Sequence, residues 1–353
     1  MADPHSQLDT GPIDATTKLK KRKDVKDSFT SLPYHVDPSQ TKITNPFKPY
    51  KWGLQLRKPS TFCKSIGDQL VEECPPSGLS LNLSGCDLKE LPPDLLKCCC
   101  EIEELNLSNN SLTHSDLNCI REMDRLRKLD LSCCGLKELP PDLLENCDRI
   151  EELNLSNNPF THLDLYPIRR MYRLKKLDLS CCGLKELRPD LLECCYEIEE
   201  LNLSNNPFTH LDLYPIRPMY TLKKLDLSCC GLKELPPDLL ENCYRIEELN
   251  LSINPFTHLD LYPIGSMHRL KKLDLSCCGL KELRPALLEC CFETEELNLS
   301  NNPFTHLDLP TRPMYRLKKL DLSFCGLKEL RPDLLECCFE IEELNLSNNP
   351  FTH

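Results

Sequence analysis

Twenty-four cysteines in 353 residues are the first chemistry this chain offers. Cys134, Cys182, Cys230, Cys278 and Cys325 recur after a short leucine-rich run, and Cys147, Cys195, Cys243, Cys291 and Cys338 recur 13 residues after each of them. Zinc binding by thiolates needs a Cys-x-x-Cys or comparable chelate spacing. The adjacent pairs found here, such as Cys181 and Cys182, aim at opposite sides of an extended chain. The recurring cysteines therefore read as small buried hydrophobes with weak donors, and no metal is expected. A signal peptide is absent from MADPHSQLDT and no apolar run approaches a membrane span. The expectation is an intracellular, cytoplasmic protein with free thiols and no contact with a membrane.

Histidine offers a second candidate. His114, His162, His210, His258, His306 and His353 each follow a threonine at one recurring position. If each pair of copies is two strands apart, neighbouring histidines stand roughly 10 Å from one another, too far to share an ion. The row reads as an echo of duplication. Lys18 to Lys23 (KLKKRK) has the composition of a nuclear-import patch, and equally that of a solvated charge run. No phosphate loop, nucleophile elbow or Ser/His/Asp grouping stands apart from the repetition. Neither catalysis nor a cofactor is expected.

Charge is the third. Residues 1–77 carry 12 basic and 9 acidic side chains, net +3, while residues 78–353 carry 31 and 46, net −15. Nucleic acid is not an expected partner, because phosphate binding needs a cationic surface. Within the acidic part the charges are ordered. Glu104, Glu152, Glu200, Glu248, Glu296 and Glu343 alternate along the chain with Lys128, Lys176, Lys224, Lys272 and Lys319. Two residues further on, Asn106, Asn154, Asn202, Asn250, Asn298 and Asn345 alternate with Asp130, Asp178, Asp226, Asp274 and Asp321.

The element that positions these rows is a repeat. Leu126 to Leu136 (LRKLDLSCCGL), Ile150 to Phe160 (IEELNLSNNPF) and Leu174 to Leu184 (LKKLDLSCCGL) begin 24 residues apart. The series continues at Ile198, Leu222, Ile246, Leu270 and Thr294, slips by one residue to Leu317, resumes at Ile341, and reaches back to Ile102 and Gly78. Period-two alternation sends Leu153 and Leu155 inward and Asn154 and Ser156 outward, as in a strand with one buried face. One repeat cannot bury that face alone, so neighbours must stack into a parallel sheet. The Asn or Cys that follows, Asn158 or Cys182, is placed to bond backbone groups as the chain leaves the strand.

Each copy fits L-x-x-L-x-L-x-x-N/C-x-L over residues 78–353, and in this the chain resembles the leucine-rich-repeat family. The resemblance implies an α/β horseshoe solenoid. Its parallel sheet would line the concave face, with short helices and irregular segments on the convex face and a ladder of Asn and Cys side chains between repeats. It also implies a non-catalytic scaffold that binds a protein partner on the concave sheet. The partner-facing residues would be Lys128, Asp130, Glu152, Asn154, Lys176, Asp178, Glu200, Asn202, Lys224, Asp226, Glu248, Asn250, Lys272 and Asp274. The alternative is a structural or assembly repeat protein without a dedicated ligand.

Two repeat types alternate, and the 48-residue pairs 174–221 and 222–269 share 40 identities. Type A runs on as GLKELRPDLLECCYE, where Leu191, Leu192 and Cys195 suit a short buried helix on the convex side. In type B, NPFTHLDLYPIRPMYT, Pro215 and Pro218 forbid a regular helix and leave a 3-10 or extended path. Alternation with abundant cysteine is similar to the ribonuclease-inhibitor subfamily, from which the 24-residue period and proline-broken type B segments depart. Residues 1–50 read as a disordered arm, 51–77 as a cap or degenerate repeat, and 78–353 as a solenoid of about 12 repeats with the last incomplete. An incomplete last repeat would expose Leu344 and Leu346 and favour end-to-end self-association.

Overall fold

The computed structural model describes residues 54–55, 78–91 and 101–160. From there to residue 351 it describes the strand and turn of each repeat with parts of its return segment. The arm 1–50, with its Lys18 to Lys23 run, and all of the expected cap 51–77 but Leu54–Gln55 lie outside the described residues. In chain order the strands are β1 Leu54–Gln55, β2 Leu79–Asn82, β3 Ile102–Asn106, β4 Lys128–Asp130, β5 Glu152–Asn154, β6 Lys176–Asp178, β7 Glu200–Asn202 and β8 Lys224–Asp226. They continue with β9 Glu248–Asn250, β10 Lys272–Asp274, β11 Glu282–Leu283, β12 Glu296–Asn298, β13 His306–Leu307, β14 Lys319–Asp321 and β15 Glu343–Asn345. All but β11 and β13 form one 13-stranded parallel sheet in which spatial order follows chain order. That is a solenoid, one strand per turn.

Register holds throughout. Glu152 lies opposite Lys176, Leu153 opposite Leu177 and Asn154 opposite Asp178, and the pattern survives the 23-residue repeat, where Glu296 meets Lys319. The missing residue is absorbed in the return segment, because a one-residue slip in the strand would turn its leucine outward. Leu153, Leu177 and Leu201 are buried with Leu155, Leu179 and Leu203 in a core that is continuous from Leu79 to Cys338. Thr294, in a slot filled elsewhere by Leu or Ile, is fully buried and donates its hydroxyl to the Leu270 carbonyl at 3.2 Å.

The sheet ends each time in the same backbone turn. One residue per repeat has a positive φ after the strand serine, Asn157 at 58° and Cys181 at 55° among them. The N–H groups of this turn meet the neighbouring repeat, as in the bonds from the Cys181 N–H to the Ser204 carbonyl at 2.9 Å and from the Cys182 N–H to Asn206 Oδ1 at 3.1 Å. In type A a second left-handed residue follows at Gly135 (φ 70°) and its equivalents. A Cβ there would meet nothing within 4 Å, so the dihedral rather than space selects glycine. Type B has proline at that position, whose ring fixes a negative φ. The two types therefore diverge in path two residues beyond the shared turn.

The return segments correct one expectation. No α-helix occurs among the described residues. Leu191 and Leu192 are buried but sit in turns, and the fully described copy, from Pro140 to Cys147, is a run of turns. Its bonds are three residues apart, such as Leu143 N–H to the Pro140 carbonyl at 3.0 Å. A turn run or 3-10 helix rises about 2.0 Å per residue against 1.5 Å in an α-helix. A 24-residue repeat leaves few residues to recross the core, so the longer rise covers the distance. The first type B copy lacks the prolines of the later ones and forms a 3-10 helix over His114–Glu122, with Leu117 and Ile120 buried. Parallel pairing of β11 with β13 adds a second, two-stranded sheet that alternation alone did not suggest.

Candidate functional site

The outward side chains of the 13-stranded sheet form two rows that differ in depth. In the first, Lys128 bridges Glu104 at 3.0 Å and Glu152 at 3.7 Å. Lys176 reaches Glu200 at 3.4 Å, Lys224 reaches Glu248 at 3.5 Å and Lys272 reaches Glu296 at 3.7 Å. Lys224 and Lys272 are exposed, while Lys128, Glu152, Lys176, Glu200 and Glu248 are half-buried. One carboxylate oxygen of Glu152 is buried without a hydrogen-bond partner among the described residues. A parallel row one residue earlier pairs more tightly, with Lys175 to Glu151 at 3.0 Å, Lys223 to Glu199 at 2.8 Å and Lys271 to Glu247 at 2.7 Å. The alternating signs expected from sequence thus become cross-strand neighbours.

The second row lies deeper and is spent on the fold. Asp178 and Asn202 are buried, and Asp130, Asn154, Asp226, Asn250 and Asp274 are half-buried. Asp178 Oδ1 accepts from the Ser180 N–H at 2.9 Å and from the Ser180 hydroxyl at 2.7 Å. Asn202 Oδ1 accepts from the Ser204 N–H at 3.0 Å. Across the row Asn202 donates to Asp178 at 3.3 Å, Asn250 to Asp226 at 3.1 Å and Asn298 to Asp274 at 3.0 Å. Burial pushes the carboxyls of Asp130, Asp178, Asp226 and Asp274 above the usual range, against the opposing pull of their serine and asparagine donors. Of the fourteen side chains singled out from sequence, the Glu/Lys row is presented to solvent and the Asp/Asn row clamps the strand ends.

Behind the turn, the Asn/Cys ladder is internal. Asn158 and Asn206 are fully buried. Cys182 is buried and donates to the Leu155 carbonyl at 3.3 Å, while its neighbour Cys181 is half-exposed, so the two thiols do part to different sides. Burial pushes the thiols of Cys182, Cys195, Cys230, Cys243 and Cys278 up to about 12, which leaves them protonated and inert. Of the histidine row, His162, His210, His258 and His353 lie outside the described residues, and His114 and His306 are placed only by their backbone.

Sequence reading missed one surface. Four residues before the strand, at the opposite end from the ladder turn, stand Tyr172, Tyr196, Tyr220 and Tyr244 in four consecutive repeats, followed by His268, Phe292 and Tyr315. The six tyrosine and phenylalanine side chains are 41–60% exposed. The signal was available once the repeats were aligned on their strands, but exposed positions lie outside the core periodicity that the eye follows.

Comparison with known families decides what this architecture is. Leucine rich repeat models match residues 79–136 and 221–280, and also 149–171, 173–195, 197–219 and 316–338. The chain belongs to the leucine-rich-repeat family. No curated protein sequence matches it. Among solved structures, the leucine-rich-repeat fold aligns with TLR13 in its complex with ssRNA13 at 22% identity and a TM-score of 0.62, covering 75% of this chain. This chain spans 42% of the length of that protein. An internalin (inlF) from Listeria monocytogenes aligns at 17% identity and a TM-score of 0.61, covering 73% of this chain and 70% of the internalin. A leucine-rich-repeat protein of Leptospira interrogans aligns at 22% identity and a TM-score of 0.62, covering 84% and 83%. These likenesses are of fold. Among the described residues no helix is long and apolar enough to cross a membrane.

Proposed function

We propose that this leucine-rich-repeat protein is a non-catalytic scaffold that binds a protein partner through the Glu/Lys row of its sheet. The observation that carries the reading is a difference in pairing. Apart from Lys128 to Glu104 at 3.0 Å, ion pairs of the outward row such as Lys176 to Glu200, Lys224 to Glu248 and Lys272 to Glu296 are 3.4–3.7 Å long. Those of the adjacent row, Lys175 to Glu151, Lys223 to Glu199 and Lys271 to Glu247, are 2.7–3.0 Å. Loosely paired, half-exposed charges cost little to re-pair with a partner's charges, and they steer encounter and register more than they add affinity. The cytoplasm is the compartment this reading assumes.

Reversing Lys176, Lys224 and Lys272 to Glu tests it. Capture from native lysate with the wild-type chain, followed by mass spectrometry, should give a partner set that the folded triple variant loses. Retention of that set by the variant would place binding elsewhere. A second reading, a structural or assembly element without a dedicated ligand, draws on the near-identity of the 48-residue pairs, since a selective interface concentrates its energy in a few distinctive residues. Concentration-dependent association of the purified chain, with no captured partner, would favour that reading. The ssRNA of the TLR13 structure suggests nucleic acid as a further alternative. An acidic face whose carboxylates lie close beneath the lysines argues against it, and a labelled single-stranded RNA titrated at low salt would decide the point.

A further inference from the structure

The aromatic row is independent of the Glu/Lys row. Its members recur once per repeat from Tyr172 to Tyr315 without a gap, whereas Asp124 and Asp148 hold the same position in the two repeats before. His268 and Phe292 show how neighbours sit, with ring centroids 6.3 Å apart and planes tilted by 39°. Large exposed aromatics are uncommon as solvated surface, and a contiguous band of them marks an interaction site. A surface that repeats at a constant step fits a ligand that is extended and repeats likewise.

The neighbouring side chains narrow the ligand. Directly after the rings the chain carries Arg173, Glu197, Thr221, Arg245, Arg269, Glu293 and Arg316 in turn, and Arg173, Arg245 and Arg269 are exposed with no side-chain hydrogen bond among the described residues. Arg316, in the same row, is engaged by Glu293 at 2.7 Å. Four arginines against two glutamates at this position leave the row with a net positive charge on a chain of net charge −12, suited to carboxylates. Strands repeat every ~4.8 Å, so two repeats advance about 9.6 Å, and one turn of polyproline II advances about 9.3 Å. That match lets an extended proline-rich segment set one turn against each A and B pair. Stiff polyproline II peptides are recognised in this way on aromatic-lined grooves.

We infer that the rim carrying Tyr172, Tyr196, Tyr220, Tyr244 and Phe292, with Arg173, Arg245 and Arg269, is a docking surface for an acidic proline-rich segment in the polyproline II conformation.

The probe is a fluorescein-labelled (Pro-Pro-Asp) peptide of 6, 12 or 18 residues, titrated with the full chain and read by anisotropy. Saturable binding that tightens by at least tenfold from 6 to 18 residues is expected. The triple variant Tyr196→Ser, Tyr220→Ser, Tyr244→Ser should weaken the 18-residue peptide by at least tenfold. Arg245→Ser with Arg269→Ser should weaken it by at least threefold. A (Gly-Ser-Asp) peptide of equal charge should not bind. All substituted side chains are on the surface, and circular dichroism verifies that each variant is folded. The Lys176, Lys224, Lys272 reversal should leave peptide affinity unchanged, which separates this site from the sheet. No binding, equal binding of the Gly-Ser-Asp control, or full affinity in the tyrosine variant would overturn the proposal. So would tighter tyrosine-dependent binding of an oligonucleotide or a linear glycan of similar length.

Discussion

Asn158 Oδ1 accepts the backbone N–H of Cys134, 24 residues earlier, at 3.1 Å, and also that of Leu136 at 3.0 Å. Its amide donates to the carbonyls of Leu131 at 2.9 Å, Leu155 at 2.8 Å and Ser156 at 3.4 Å. At the next junction Cys182 offers only a thiol, to the carbonyls of Leu155 at 3.3 Å and Ser180 at 3.4 Å. Asparagine therefore joins each B repeat firmly to the A repeat before it, and cysteine joins each A repeat weakly to the B repeat before it. Asn202 with Asp178 and Lys176 with Glu200 also fall inside the A and B pair. The asparagine bonds therefore fall inside the 48-residue unit that duplicated, while the Lys175 to Glu151 row of ion pairs ties one unit to the next.

That asymmetry sets the first prediction. Asn158→Ala strands two buried N–H groups and removes an amide donor, so it should cost about 3 kcal/mol or more. Cys182→Ala loses a weak donor and a small volume and should cost about 1 kcal/mol. Urea unfolding of the two variants measures both. Equal losses would mean that the two kinds of junction are equivalent.

Ile253 is a local fault in an otherwise regular turn. It has φ 57°, at the position that Asn157, Asn205 and Asn301 occupy with φ 57–60°. Asparagine tolerates the left-handed region, whereas a β-branched residue there is an outlier costing about 1–2 kcal/mol. Its side chain is 41% exposed, so burial returns little. Ile253→Asn should stabilise the protein by about 1 kcal/mol, read as a higher urea midpoint at unchanged slope. A lower midpoint would show that Ile253 is held by contacts rather than strained.

The strand rows were legible in sequence because both signals are local. Alternation at Leu153, Asn154 and Leu155 fixes which face is buried, and the 24-residue step fixes which side chains are neighbours. Depth was not legible. Asp178 and Lys176 share a face by period, yet Asp178 folds back on Ser180 while Lys176 extends toward solvent. The apolar spacing of Leu191, Leu192 and Cys195 suits a turn run as well as a helix, and Leu191 and Leu192 lie in turns. Tyr172 and its successors were invisible to both signals, being exposed and outside the strand.

Acid should first strengthen and then weaken the fold. Asp130, Asp178, Asp226 and Asp274 have folded-state values raised by burial. The folded state therefore binds protons more readily than the unfolded chain, and stability rises as pH falls through those raised values toward the unfolded value near ~3.9. Glu151, Glu247 and Glu295 have values lowered chiefly by hydrogen bonds from Arg127, Lys271 and Lys318. Their contribution is present above the unfolded value near ~4.3 and is lost as pH falls through the folded values. The unfolding midpoint should rise as pH falls from neutrality and turn over near ~4, where the aspartate gain is complete and the glutamate contribution is being lost. Substituting Asp178, Asp226 and Asp274 by Asn should flatten the rise and leave the fall, and a wild-type midpoint that declines steadily from pH 7 would contradict the assignment.

Thiol reactivity should divide by depth. Among the described cysteines, Cys133 and Cys229 are exposed, and Cys134, Cys147, Cys182, Cys195, Cys230, Cys243, Cys278 and Cys325 are buried. A thiol near 12 is ionised only to ~10⁻⁴ at pH 8. Burial also raises the thiols of Cys133 and Cys229, but their exposure leaves them open to reagent. Cys133, Cys181 and Cys229 recur two repeats apart, roughly 10 Å by strand spacing, beyond the Cα separation a disulfide spans. Oxidation within the row would require the sheet to open. Native alkylation at pH 8, mapped by mass spectrometry, should modify Cys133 and Cys229 first, leave Cys182, Cys195, Cys230, Cys243 and Cys278 unlabelled, and reach these only after denaturant is added. Labelling of Cys182 as fast as Cys133 in the native protein would show that the cysteine junction between one A and B pair and the repeat before it opens on the reaction timescale.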